Sequence, residues 1–170
     1  MTRVSARGLM AFSLSVFVLL CGISGVLTAG GSPSNLYDYA GCCPKGWTQY
    51  NDHCYSLKQP KTFEFAELVC STLGGHLVSI HSYLENQVVR GLLAEADAKF
   101  AWIGLHDPAA DGDYKWTDGT NVDFLKFAKR QPDHNGGCVG IYAAGSWFVH
   151  DCNTKEPYVC IRDAQCCGIH

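Results

Sequence analysis

The chain has 170 residues, 47% of them hydrophobic, and a formal net charge of −3 at neutral pH, which fits one domain with a real core plus a short targeting segment. That acidic balance excludes the basic footprint of a nucleic-acid-binding protein, and loss of Arg3 and Arg7 with a leader would make it two charges more negative. Ten cysteines, none in a Cys-x-x-Cys pair, exclude a zinc ribbon or thioredoxin-like site and point to an oxidising compartment, where disulfides staple small domains.

Residues 1–7 carry two arginines and no acid, and Leu9 to Ala29 carry no charge. This predicts a signal peptide over residues 1–30, cleaved near Gly30, and hence a secreted, extracellular protein. The uncharged run is also long enough to span a bilayer, so an uncleaved type II anchor is the alternative. Residues 31–41, rich in Gly, Ser and Pro, read as a short linker. The globular part is expected over residues 42–163, followed by a cysteine-containing tail, 164–170.

Within it, Trp47 to Leu57 alternates loosely and reads as a hairpin. From Thr62 to Leu73, Phe63, Ala66, Val69, Cys70 and Leu73 recur at helical steps, and Gly74-Gly75 ends the helix. Ser82 with Glu85 three residues later announces a second helix through a capping box, with Leu84, Val88, Leu92 and Leu93 as its buried stripe. Phe100 to Leu105, with Trp102, predicts a central strand. From His106 to Gly137 the chain is rich in Asp, Gly, Pro and Asn, broken by Tyr114, Trp116, Phe124 and Phe127. Such a long loop region is usually functional, and its aromatics are expected to tack it down. Three short strands follow: Cys138 to Tyr142, Trp147 to Val149 and Tyr158 to Arg162. Asn-x-Ser/Thr is absent, so no N-glycan is expected to shield the domain.

Cys43-Pro44 with Trp47 and Cys54-Tyr55, Cys70 in its helix, Gly74-Gly75-His76-Leu77-Val78-Ser79-Ile80-His81-Ser82, Trp102-Ile103-Gly104-Leu105, Trp116-Thr117-Asp118-Gly119, and Gln131-Pro132-Asp133 with Cys138, Trp147, Cys152 and Cys160 together resemble the long-form C-type lectin-like domain over residues 42–163. The resemblance implies an α+β fold in which two helices flank small antiparallel sheets beside a long-loop region. It also implies the disulfides Cys43–Cys54, Cys70–Cys160 and Cys138–Cys152. Cys42, Cys166 and Cys167 remain. Pairing Cys42 with one tail cysteine would join the termini and leave the other for an intermolecular bridge, so a disulfide-linked oligomer through Cys42, Cys166 or Cys167 is one expectation.

In sugar-binding members of that family the ligand sits on a calcium ion. Gln131 and Asp133 match its first two ligands, in an order resembling the galactose-type subset, with a cis peptide before Pro132. Read from the residues, the two side-chain oxygens on a proline-stiffened turn suit a hard cation or a sugar hydroxyl, and equally a plain polar turn. The remaining family ligands are replaced by Gly136, Phe148 and Val149. One carboxylate and one amide make a degenerate site with at most weak Ca2+ affinity. Asp151, His150 and His134 lie close by, but histidine suits zinc or copper better. Asp107 and Asp111 match family acids at an auxiliary calcium position and also read as turn residues ahead of Gly112.

Glycan or glycoprotein binding is therefore the leading expectation, through Gln131, Asp133, His134 and Asn135 and by stacking on Trp147 or Tyr142. Trp147 also reads as a core residue of the strand before Cys152. The alternative is calcium-independent binding of a protein ligand, with Lys129-Arg130 as a basic edge and Phe148 as an apolar contact. Gly145-Ser146-Trp147 lacks the second glycine of a nucleophile elbow, and no paired-carboxylate framework appears, so catalysis is not expected.

Overall fold

The computed structural model describes residues 42–133 and 136–166. The expected signal peptide and linker, Cys21, His134, Asn135 and Cys167 thus lie outside the described residues. In chain order the elements are β1 (Thr48–Tyr50), β2 (His53–Lys61), α1 (Phe63–Thr72), β3 (His76–Leu77), α2 (Tyr83–Glu95), β4 (Phe100–His106), β5 (Lys115–Trp116), β6 (Cys138–Tyr142), β7 (Trp147–His150) and β8 (Glu156–Asp163).

Two antiparallel ladders make the sheet. One is β1-β2-β8, with β3 also on β8; the other is β4-β6-β7, with β5 on β4. A single parallel pair, Trp102 opposite Tyr158, joins β4 to β8, so the predicted small antiparallel sheets merge into one mixed sheet. The apolar run of β4 is buried from Phe100 to Leu105, as a strand covered on both faces should be. Gly104 is required there, since a Cβ would sit 2.8 Å from both the Leu77 carbonyl oxygen and Thr117 Oγ1.

On α1, Phe63, Ala66 and Cys70 are buried, so the predicted face is the one that packs. Gly74, at φ +80°, turns the chain out of the helix without the Cβ clash that another residue would meet. Arg162 Nη1 donates to the Leu73 carbonyl at 3.0 Å, satisfying one of the carbonyls that the helix end leaves open.

The second helix departs from its predicted stripe. Ser82 accepts from the Glu85 amide at 3.2 Å, but the Glu85 carboxylate reaches back to the His81 amide rather than that of Ser82. Asn86, Val89, Leu92 and Leu93 are buried, Leu84 is 62% exposed, and Val88 packs at the margin of the core. The helix is rotated because a polar residue is wanted inside. Asn86 Nδ2 donates to the Gly145 carbonyl at 3.0 Å, and its Oδ1 accepts from Trp147 Nε1 at 2.8 Å.

Among the described residues, four disulfides close the domain. Cys43–Cys54, Cys70–Cys160 and Cys138–Cys152 form as the resemblance implied. Cys42 bonds Cys166, and the Gln165 amide donates to the Cys42 carbonyl at 2.8 Å, so the tail is tied to the domain's first residue. Cys42 and Cys166 are therefore spent within the chain, which removes both as bridges to another molecule.

Candidate functional site

The long-loop region leaves β4 at Asp107. Its buried carboxylate accepts from the amides of Gly112 at 2.8 Å and Asp111 at 3.2 Å. Burial pushes its pKa up, but the backbone amides of Gly112, Asp111, Ala110 and Ala109 outweigh that and hold it below the usual carboxylate value. Asp111 Oδ1 in turn accepts from the Asp113 amide at 3.0 Å. Both acids act here as turn residues. Further on, Asp118 accepts from Ser79 Oγ at 2.5 Å, from Thr120 Oγ1 at 2.6 Å and from the Thr120 amide at 2.9 Å. Burial raises its pKa, yet these bonds and the neighbouring His81 bring it below the ordinary value.

The loop aromatics converge on Trp147. Trp116 and Phe124 each lie 5.7 Å from it and Phe127 6.1 Å, while Tyr114 stacks edge-on against Phe127 at 5.4 Å. Trp147 itself is 0% exposed. Stacking of a sugar on Trp147 is thereby ruled out, because both its ring and its Nε1 are committed to the core. On the adjoining strand β6, Tyr142 is 42% exposed, with half-buried Phe148 against it at 4.8 Å.

The Gln131-Pro132 peptide is cis, and Gln131 and Asp133 follow a tight turn. The Gln131 amide donates to the Ala128 carbonyl at 3.0 Å, leaving Lys129 and Arg130 at the turn's two central positions, both exposed. Arg130 has φ +72°, a conformation that a turn of this kind normally assigns to glycine and that costs a side-chain-bearing residue roughly 1–2 kcal/mol. The turn is held against β7. The Ala128 amide donates to the Trp147 carbonyl at 3.0 Å, and Gln131 Oε1 accepts from the Val149 amide at 2.9 Å.

That last bond weighs against calcium. The oxygen that Gln131 would offer an ion already spends one of its two lone pairs on a strand amide. The adjoining positions on β7 are the carbon side chains of Phe148 and Val149, and Asp133 is the one carboxylate on the turn. Calcium takes six to eight oxygens, and the described residues do not assemble that set. Asp151 is turned to its own loop, accepting from the Asn153 amide at 3.0 Å. His150 packs over Phe100 and Trp102 and lies 3.8 Å from Glu156. Among the described residues no group of three or more His, Cys, Asp or Glu is placed to hold a metal ion. Asp133 and Asp107 nonetheless bear on Tyr114, whose pKa is raised first by burial and then by those two carboxylates.

Away from this turn, a concavity of about 610 Å³ lies along the β2–β8 ladder and is lined by His53, His76, His81, Asp118 and Arg162 among others. Each histidine meets a carboxylate: His53 with Asp163 at 3.4 Å, His76 with Glu67 at 2.6 Å and His81 with Asp123 at 2.8 Å. Sequence reasoning missed this groove, since every pair joins residues nine or more apart with no shared motif.

A family model described as the lectin C-type domain matches residues 59–162. The chain is 33% identical, over 70% of its length and 82% of the relative's, to a "C-type lectin galactose-binding isoform" of Hoplocephalus stephensii. Two other relatives are longer, and the matched segment spans 41% and 33% of them. Among solved structures, human lithostathine superposes with a TM-score of 0.68 at 29% identity, covering 71% of this chain and 99% of that one. A calcium-independent type II antifreeze protein gives 0.66 at 30% identity, covering 75% and 99%.

Proposed function

Because the chain belongs to the C-type lectin domain family, we propose that it is a secreted recognition protein that binds carbohydrate of the galactose type without relying on calcium. The observation that carries this reading is the bond from the Val149 amide to Gln131 Oε1. The protein itself supplies the contact that fixes the turn, a task an ion would otherwise share. Three further facts support it: the Gln131-Pro132-Asp133 order, the similarity to a galactose-binding relative, and exposed Tyr142, whose ring can stack on the apolar face of a pyranose. Asp133 supplies an acceptor for sugar hydroxyls, with His134 and Asn135 next along the chain. With Cys42 and Cys166 joined, Cys167 is the remaining one of the three cysteines expected to link an oligomer.

The test is binding of galactose-terminated oligosaccharides to the mature protein in chelator, with Tyr142→Ala as the control. Retained binding that the substitution weakens about tenfold is the expected result. Binding that appears only with calcium would overturn the reading. Binding of proteins but no glycan would favour a protein ligand on the same face.

A further inference from the structure

Resting on that reading, we propose that the ligand is an anionic glycan, a galactose-type sugar bearing sulfate or carboxylate, and that Lys129 and Arg130 read its negative charge. The basic turn, Phe148 and Tyr142 form one continuous strip. Ala128, immediately before the basic pair, is bonded to the Trp147 carbonyl, and Gln131, immediately after it, is bonded to the Val149 amide. Phe148 is thus bracketed by the two attachments, and its ring meets Tyr142 at 4.8 Å. A sugar stacked on Tyr142 would have, next along this strip, a turn whose backbone is fixed to β7 and which carries two exposed cations.

The backbone argues that Arg130 is there for its side chain. At φ +72° glycine would be unstrained, so the turn accepts a less favourable residue, and its side chain is exposed. Strain of this kind, at the face proposed to bind, supports a functional reading of the residue. A guanidinium also suits the purpose chemically, since it presents paired donors to sulfate or carboxylate oxygens. Where calcium-dependent recognition draws sugar hydroxyls to a bound cation, this turn offers covalently fixed ones, which favour a ligand carrying its own charge. Asp133 is the opposing charge on the same turn.

The experiment compares three immobilised probes in chelator: a neutral galactose-terminated oligosaccharide, the same oligosaccharide sulfated on galactose, and its sialylated form. The wild-type protein should bind the anionic probes roughly tenfold more tightly than the neutral one, and the gap should close as salt rises. Which anionic probe binds better distinguishes sulfate from carboxylate. Lys129→Ala with Arg130→Gly should abolish the preference, while neutral binding and the unfolding midpoint are kept or raised. Asp133→Asn should widen the preference. Equal binding of neutral and anionic probes, or a preference that survives the double substitution, would overturn the inference and leave the sugar-binding reading standing. Failure to bind any probe would sink both.

Discussion

The sheet-and-helix part of the domain and the long-loop region, residues 107–137, are built by different means. The first is held by strand ladders, buried apolar side chains and the four disulfides, all of whose cysteines lie outside the loop. The loop is held by carboxylates and an amide turned onto backbone groups, namely Asp107, Asp111, Asp118 and Gln131, and by aromatics gathered on Trp147. A loop whose polar side chains are consumed in its own construction has few oxygens left for an ion. What it can still present is its exposed edge, the basic turn of Lys129 and Arg130, with Tyr142 contributed by β6.

The sharpest way to break this division is to remove the constraint on the first region. Cys70–Cys160 closes a span of 90 residues, and the double substitution to serine should cost about 4–5 kcal/mol in the chain-entropy account. Non-reducing denaturant unfolding would measure it. A loss well under half of that would mean the ladders hold the domain without the staple.

Next comes the joint between the regions. Asn86→Leu would leave Trp147 Nε1 and the Gly145 carbonyl buried without their partners. The expected loss is roughly 2–4 kcal/mol, with the near-ultraviolet signal of the tryptophans changed. Unaltered stability would mean that water or a rearranged turn replaces Asn86.

The rotation of α2 around Asn86 also marks where sequence reasoning reached its limit. The helix α1 was legible because its buried residues repeat at the helical period, and the strands β4 and β6 because each is a short apolar run, buried almost throughout. Counting only apolar residues placed Leu84 inside, since a buried asparagine is visible only once its partners, 59 and 61 residues away, are known. Strands β3 and β5 have two residues each, too few for any period. The Gln131-Pro132-Asp133 turn was recognisable, but the use of the Gln131 oxygen depends on how β7 lies beside it, which no local pattern encodes.

The smallest effect concerns the carboxylates. Asp107, Asp118 and Asp123 have folded-state pKa values below the ordinary one, so the stability they contribute is present above the unfolded value. It is lost as pH falls through the folded values, below about pH 4. Asp118→Asn should lower the midpoint at neutral pH, and the difference from wild type should narrow on acidification. A difference constant from pH 7 to pH 2.5 would mean that its charge plays no part in pinning the loop.

The most direct test of calcium independence is the thermal unfolding midpoint of the mature protein in millimolar calcium and in chelator, under non-reducing conditions. A resident site with a dissociation constant near one-twentieth of the calcium concentration would add about 2 kcal/mol, a rise of several degrees for a domain of this size. The expected result is no shift. A clear rise would show that the loop gathers an ion despite the engagement of Gln131 with Val149, and would contradict the account.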